Sequence, residues 1–402
     1  MNMHGFQSRV IVVVVVIAFT ISGCAQDPQR LGSSVGVTDS TILLGSSNAL
    51  SGHASFLGSQ YNRGSLAFFK EINESGGVFG RKIRVISYDD QYDPPQTVAN
   101  TAKLINEDNV FMLFNYVGTP TSVQIMDKVQ EAAIPAFGFL TGAETLRTPF
   151  RPFMFHLRAS YYSEIEGVIS YFVDTLGFDK IAVMYQDDAF GMAVLSGVQL
   201  ALNRRNLEII ATDTYVRGTM DVEHAVQSVS ESAADAVIMV GTYSPLAKFI
   251  KLSHKADYAP YFHTVSFIGS EAFAKEIIDI DVDPSTYDQI IVTQVVPSPY
   301  EQELAGIVEY RRVLEKHYPQ DEPNYVSLEG FLNAKVLAEA LFKNGPVLTR
   351  ETLGRTIESM DSVDVGIGKT ISFGARDHMG LEDIYYSRLS SEGTFSVFTY
   401  RD

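Results

Sequence analysis

Residues 110–146 read VFMLFNYVGTPTSVQIMDKVQEAAIPAFGFLTGAETL, and this stretch decides the fold. An apolar run over 110–114 is bounded by a turn, which predicts a buried strand. Gly118-Thr119-Pro120-Thr121-Ser122 follows, crowding hydroxyls and backbone-bending residues together. Val123, Met126 and Val129 then recur at helical spacing. A second apolar run over 134–140 ends in Thr141-Gly142. Two strand ends therefore each deliver a hydroxyl-bearing loop, the first at a predicted helix N-terminus. Free N–H groups and the helix dipole favour an anion at such a place. In an open parallel sheet, ligands bind outside the carboxyl ends of the strands. The plain alternative is that the hydroxyls of residues 119–122 cap the helix.

Outward from this stretch, strands and helices alternate. Strands are predicted over 42–44, 82–88, 180–185, 208–215, 236–240, 262–267 and 289–293, with helices between them. Such alternation implies parallel sheets covered on both faces. The number of units exceeds one compact sheet, so the expectation is two α/β lobes. Two helices follow, over 301–316 and 326–343, and short strands near 371, 385–389 and 395–400 close the chain.

The formal charge of −17 argues against nucleic acid or an anionic membrane surface as a partner. The N-terminus reads as an address. Arg9 precedes an apolar run over 10–20, too short to span a bilayer and of signal-peptide length. Ile21-Ser22-Gly23-Cys24 resembles a bacterial lipoprotein lipobox, which predicts cleavage before Cys24 and acylation of its thiol. Cys24 is the single cysteine, so no intramolecular disulfide can form. Residues 24–40, rich in Gly, Ser and Gln, read as a flexible tether. The Gly32-Ser33-Ser34-Val35-Gly36 match to a hydrolase elbow lies in that tether, without the strand and helix the elbow needs.

Nucleotide-cofactor motifs are absent, and the eight His show no metal-ligand spacing, so no cofactor and no metal are expected. Asp89-Asp90 and Asp187-Asp188 follow strands and begin loops. Paired acid/base carboxylates are one reading, and turn or cap chemistry is the preferred one. No catalytic residue is assigned.

Several passages converge on one family. They are Leu50-Ser51-Gly52, Gly76-Gly77-Val78-Phe79-Gly80-Arg81-Lys82-Ile83, Tyr88-Asp89-Asp90 with Tyr92-Asp93-Pro94, and Val117-Gly118-Thr119-Pro120-Thr121. Later come Tyr185-Gln186-Asp187-Asp188-Ala189-Phe190-Gly191, Gly269-Ser270-Glu271 and Leu328-Glu329-Gly330 with Ala334. In order and spacing the chain resembles the type I periplasmic solute-binding proteins of the leucine/isoleucine/valine-binding family, the receptors of ABC importers. The resemblance implies two doubly wound parallel-sheet lobes joined by a three-crossing hinge. Lobe 1 would hold 41–157 and 295–374, and lobe 2 would hold 158–294 and 375–402.

The resemblance also implies a site. Thr119, with Thr121 and Ser122 beside it, would grip a ligand carboxylate, and Thr141 and Gly142 would form the second carboxylate loop. Ser51 would join them from the first strand end. Phe190, where the family often has Tyr, and Tyr243 would line the second lobe, and Glu271 would pair a ligand ammonium. The implied function is a non-enzymatic, lipid-anchored receptor in the periplasm or at the cell surface. It would bind a small carboxylate, with a neutral or branched-chain amino acid expected, and pass it to an ABC permease. Gly118-Thr119-Pro120-Thr121 is more like relatives that take aromatic acids or amides, which is one alternative. A sensing module for a membrane signalling receptor is the other.

Overall fold

The computed structural model describes residue 1 and residues 34–399. Cys24 and the rest of the expected signal segment and tether, up to residue 33, lie outside the described residues, Met1 apart. The last part of the expected tether packs onto the body: Val37 is buried, and Gly36 O accepts the N–H of Leu43.

Two sheets share one topology. The first runs β2-β1-β3-β4-β5, all parallel, with β1 Thr41–Asn48, β2 Lys82–Asp89, β3 Met112–Val117, β4 Ala136–Leu140 and β5 Met154–Phe155. The second contains β6 Ile181–Gln186, β7 Ile209–Tyr215, β8 Ala236–Val240, β9 Tyr261–Thr264 and β10 Ile290–Gln294. Their order, β7-β6-β8-β9-β10, repeats the first. A short ribbon, β11 Val363–Asp364 with β12 Thr370–Ile371, precedes β13 Tyr385–Leu389 and β14 Phe395–Phe398. β13 and β14 extend the second sheet antiparallel beyond β10.

Sequence places the strands within each sheet. Every residue of β3, β4 and β8 is buried, as central strands covered on both faces require. The edge strand β7 shows partial exposure along its length. Helices Ala305–His317 and Tyr325–Asn344 pack on helix Ser55–Glu74 of the first sheet, and helix Tyr161–Ile169 packs on Ala189–Asn203 of the second. The chain therefore crosses between the sheets three times: after β5, after β10, and after β12. The first and third crossings pair directly, with His156 N–H on His378 O and Gly380 N–H on His156 O, both 2.8 Å.

The structure departs from the periodicity in several places, among them the strand expected over 262–267, which ends at Thr264. The strand expected over 110–114 runs instead through Val117, because Asn115 finds a buried partner: Asn333 Nδ2 donates to its Oδ1 at 3.0 Å. The helix expected through Val123, Met126 and Val129 is two short pieces, Thr119–Val123 and Met126–Glu131. Helices Tyr161–Ile169 and Arg350–Glu358 were not anticipated, although each starts on a hydroxyl cap. Ser160 accepts from Ser163 N, and Thr349 accepts from Thr352 N.

Candidate functional site

In each sheet the strand order reverses beside its first strand, between β1 and β3 and between β6 and β8. Loops leave the carboxyl ends of neighbouring strands in opposite directions there and open a crevice. The two crevices meet face to face. Phe56 from the β1 side stands edge-on to Tyr243 from the β8 side, centroids 6.3 Å apart. Tyr92, after β2, faces Phe267, after β9, at 5.9 Å.

Thr119 and Thr141 come together at the floor of this cleft. Their hydroxyl oxygens are 2.6 Å apart, and both side chains are buried. Thr141 Oγ1 also accepts the N–H of Ala143 at 3.2 Å. One hydroxyl proton is spent between the two residues and the other is left to donate, whichever way the pair is oriented. Helix Thr119–Val123 begins at Gly118, and no side chain caps it. Thr119 is therefore not a helix cap, and a helix of five residues offers an anion loose N–H groups rather than a developed dipole.

The neighbouring hydroxyls fare differently. Thr121 Oγ1 donates to the carbonyls of Val117 and Gly118, so it fastens the strand end. Ser122 Oγ is buried without a partner among the described residues. Ser51 is exposed and donates to Asp89 Oδ2 at 2.5 Å, which ties it to the end of β2 rather than to the Thr pair.

Gly142 is needed for contact between the lobes. A Cβ there would stand 2.6 Å from the backbone N of Tyr161, whose N–H donates to Gly142 O at 2.7 Å. Tyr161 opens the first helix beyond the crossing, and its ring meets Phe190 at 5.4 Å. Phe190 in turn meets Phe267 at 4.7 Å, and both are fully buried.

Glu271 lies in the first turn of helix Ser270–Asp279, and its partners differ from the expected ones. Its Oε1 accepts the N–H of Tyr325 at 3.2 Å and the hydroxyl of Tyr300 at 3.4 Å, while Oε2 is buried without a partner among the described residues. Burial drives its pKa up to about 7 against those hydrogen bonds. Tyr243 is half-buried at the start of helix Tyr243–Lys255, and burial raises its pKa.

Asp89, Asp90 and Asp188 do turn and cap work. Asp89 Oδ1 accepts from the N–H groups of Leu50, Ser51 and Gln91, and Asp90 accepts from Tyr92 N, Ser47 Oγ and Thr97 Oγ1. Asp188 caps helix Ala189–Asn203 through the N–H groups of Phe190 and Gly191. One group of potential metal ligands occurs among the described residues, Glu71, Glu74 and His317. Arg312 and Lys316 already neutralise it at 2.6–2.9 Å, so a cation has little to gain there.

Periodicity missed Arg158, Tyr161 and Phe267. Arg158 is buried on the first crossing, 3.5 Å from Glu329 and 4.0 Å from Glu164. An Arg within an apolar passage, two residues before a Ser cap, was the available signal.

Two facing open α/β sheets, three crossings and a hydroxyl-floored cleft define the class: a two-lobed binding protein for a small ligand. The chain belongs to the periplasmic binding protein family, whose profile matches residues 41–394. It shares the type I periplasmic binding protein fold, that of substrate-binding proteins rather than enzymes. It is 25% identical over 345 residues to Leu/Ile/Val-binding protein homolog 7 of Brucella abortus (strain 2308), covering 82% of this chain and 83% of that one. A possible leucine/isoleucine/valine-binding protein from Rhodopirellula baltica SH 1 superposes with TM-score 0.85 at 27% identity, covering 92% and 99%. A branched-chain amino acid ABC transporter structure from Thermus thermophilus, with bound valine, shares the fold at TM-score 0.80 and 18% identity, covering 90% and 96%.

Proposed function

We propose that this chain is the solute receptor of an ABC importer, that it binds a neutral or branched-chain amino acid, and that acylated Cys24 holds it to a membrane outside the cytoplasm. The observation that carries the ligand reading is the Thr119–Thr141 hydroxyl pair on the cleft floor. Hydroxyl and N–H donors suit a carboxylate, and hydrogen bonds to a charged group are the strong ones. The apolar walls, Phe190 and Phe267, take the side chain. Glu271 Oε2, buried and unpartnered, supplies an acceptor for the ammonium. The names of the relatives point the same way. Lobe 1 is taken as 41–157 with 295–374 and lobe 2 as 158–294 with 375–402, and closure would present both to the permease.

A thermal-shift screen of the folded body against amino acids, aromatic acids and amides tests this. A ligand at 100 times its dissociation constant should add about 2.7 kcal/mol of stability. Stabilisation by branched-chain amino acids is the expected result. Stabilisation by aromatic acids or amides alone would replace the ligand class.

A further inference from the structure

Tyr92 occupies a place that its own backbone preference does not explain. It follows β2, and both it and Gln91 adopt left-handed backbone, φ 62° and 54°. Non-Gly residues take this conformation in only a few per cent of cases. The loop is fastened for the purpose. Asp89 Oδ1 accepts the Gln91 N–H at 2.9 Å, and Asp90 Oδ1 accepts the Tyr92 N–H at 3.0 Å.

The result is a phenol ring laid through the cleft. It is 1% exposed. Its Cε2 would stand 2.0 Å from a Cβ on residue 118, so it passes over the bare Cα of Gly118, directly before Thr119. On the opposite lobe it meets Phe267, and the Arg217 guanidinium lies 5.9 Å from its centroid. Its hydroxyl is buried and has no hydrogen-bond partner among the described residues. A buried hydroxyl left unpaired is unfavourable, and a ligand acceptor would relieve it. Tyr161 and Asp188 lie close enough to act electrostatically on that phenol, and Tyr161 in turn abuts Gly142, next to Thr141.

We propose that Tyr92 is a ligand-contacting, specificity-determining residue: its hydroxyl donates to the bound solute beside the Thr119–Thr141 pair, and its ring limits the cleft to compact aliphatic amino acids. The role rests on the receptor reading of the cleft. The ring bridges both lobes, so any ligand enclosed on closure shares space with it. A larger aromatic side chain would have to displace it.

Calorimetric titration of the parent, Tyr92→Phe and Tyr92→Ala with L-valine, L-leucine, L-isoleucine and L-phenylalanine separates the outcomes. Tyr92→Phe keeps the packing and removes the hydroxyl. It should bind the aliphatic ligands about tenfold more weakly, with a melting temperature equal to or above the parent's. Tyr92→Ala should gain L-phenylalanine relative to L-valine by tenfold or more. Parent binding with unchanged affinity in Tyr92→Phe would overturn the hydroxyl contact. An unchanged ligand ratio in a folded Tyr92→Ala would overturn the size limit. A parent that binds none of the four overturns the amino-acid reading itself, and the Tyr92 assignment falls with it.

Discussion

Glu271 Oε1 accepts the backbone N–H of Tyr325 at 3.2 Å, so a carboxylate on a second-sheet helix caps the start of a first-sheet helix, Tyr325–Asn344. The contact spans the two lobes and leaves Oε2 inside, unpartnered. Glu271→Gln retains an oxygen for Tyr325 and removes the charge. The expected outcome is amino-acid binding weakened by one to a few orders of magnitude, about 1.4 kcal/mol per factor of ten. Binding of the matching acid without its amine should not change. The pH dependence has a defined sign. Burial lifts the folded pKa to about 7, so the carboxylate is increasingly protonated below that pH. Parent affinity for an amino acid should therefore fall as pH drops from 8 to 6, and the slope should be missing in Glu271→Gln. Titrations at both pH values that show equal affinities for parent and variant would remove Glu271 from the site.

Thr119 should serve the ligand more than the fold. Its hydroxyl bonds Thr141 and caps nothing. Thr119→Val should cost about 1 kcal/mol of stability for the lost hydroxyl pair. It should cost about 1.5–3 kcal/mol of affinity for a lost hydrogen bond to a charged group. Thr119→Ser should keep both. Melting curves and titrations on the same preparations check this, and a stability loss with parental affinity would leave Thr119 a structural role alone.

The architecture was legible because central parallel strands are predominantly apolar. The runs that became β3, β4 and β8 are short and apolar, and Gly118, Thr141-Gly142 and Gly241 follow them. Thr119 and Thr141 were legible as loop hydroxyls for the same reason, since each lies within two residues of the end of such a run. The cross-lobe partners were not. Nothing local in Tyr325 or Tyr300 says that Glu271 will reach them, because those contacts join segments 54 and 29 positions apart. Tyr92 follows the loop-opening Asp89-Asp90 pair, and that turn is real. That the turn aims its ring over Gly118 is set by backbone angles that alternation patterns do not encode.

Cys24 is outside the described residues, and its acylation is tested chemically. A single lipid chain gives marginal binding, and stable anchoring takes two. Cys24→Ser should release soluble protein or leave the precursor uncleaved, seen by membrane fractionation and intact mass. Identical mass and fractionation in parent and variant would end the lipoprotein reading.

The buried charges on the first crossing should contribute to the pH response of stability. Arg158 faces Glu164 and Glu329, and all three are nearly inaccessible. The two carboxylates are not equivalent. Glu164 is satisfied by Ser266 N at 2.8 Å, Ser266 Oγ at 2.9 Å and Thr293 Oγ1 at 2.7 Å. Glu329 has the Arg158 Nε at 3.5 Å, and burial, against the pull of Arg158, raises its pKa to about 7. The folded state then binds this proton more tightly than the unfolded chain, whose Glu titrates near 4.3. Its stabilising contribution is complete below about pH 4 and is lost as pH rises through about 7. Glu329→Gln, which cannot ionise, should flatten that part of the dependence and be more stable than the parent relative to its own pH 5 value when both are melted at pH 8. Arg158→Met should act in the opposite sense, destabilising by about 3–5 kcal/mol because buried carboxylates lose their cation, and most strongly at high pH, where Glu329 would otherwise ionise. Melting temperatures for the three proteins across pH 5–8 decide it. Parallel curves for the parent and Glu329→Gln would mean that Glu329 is ionised throughout that range.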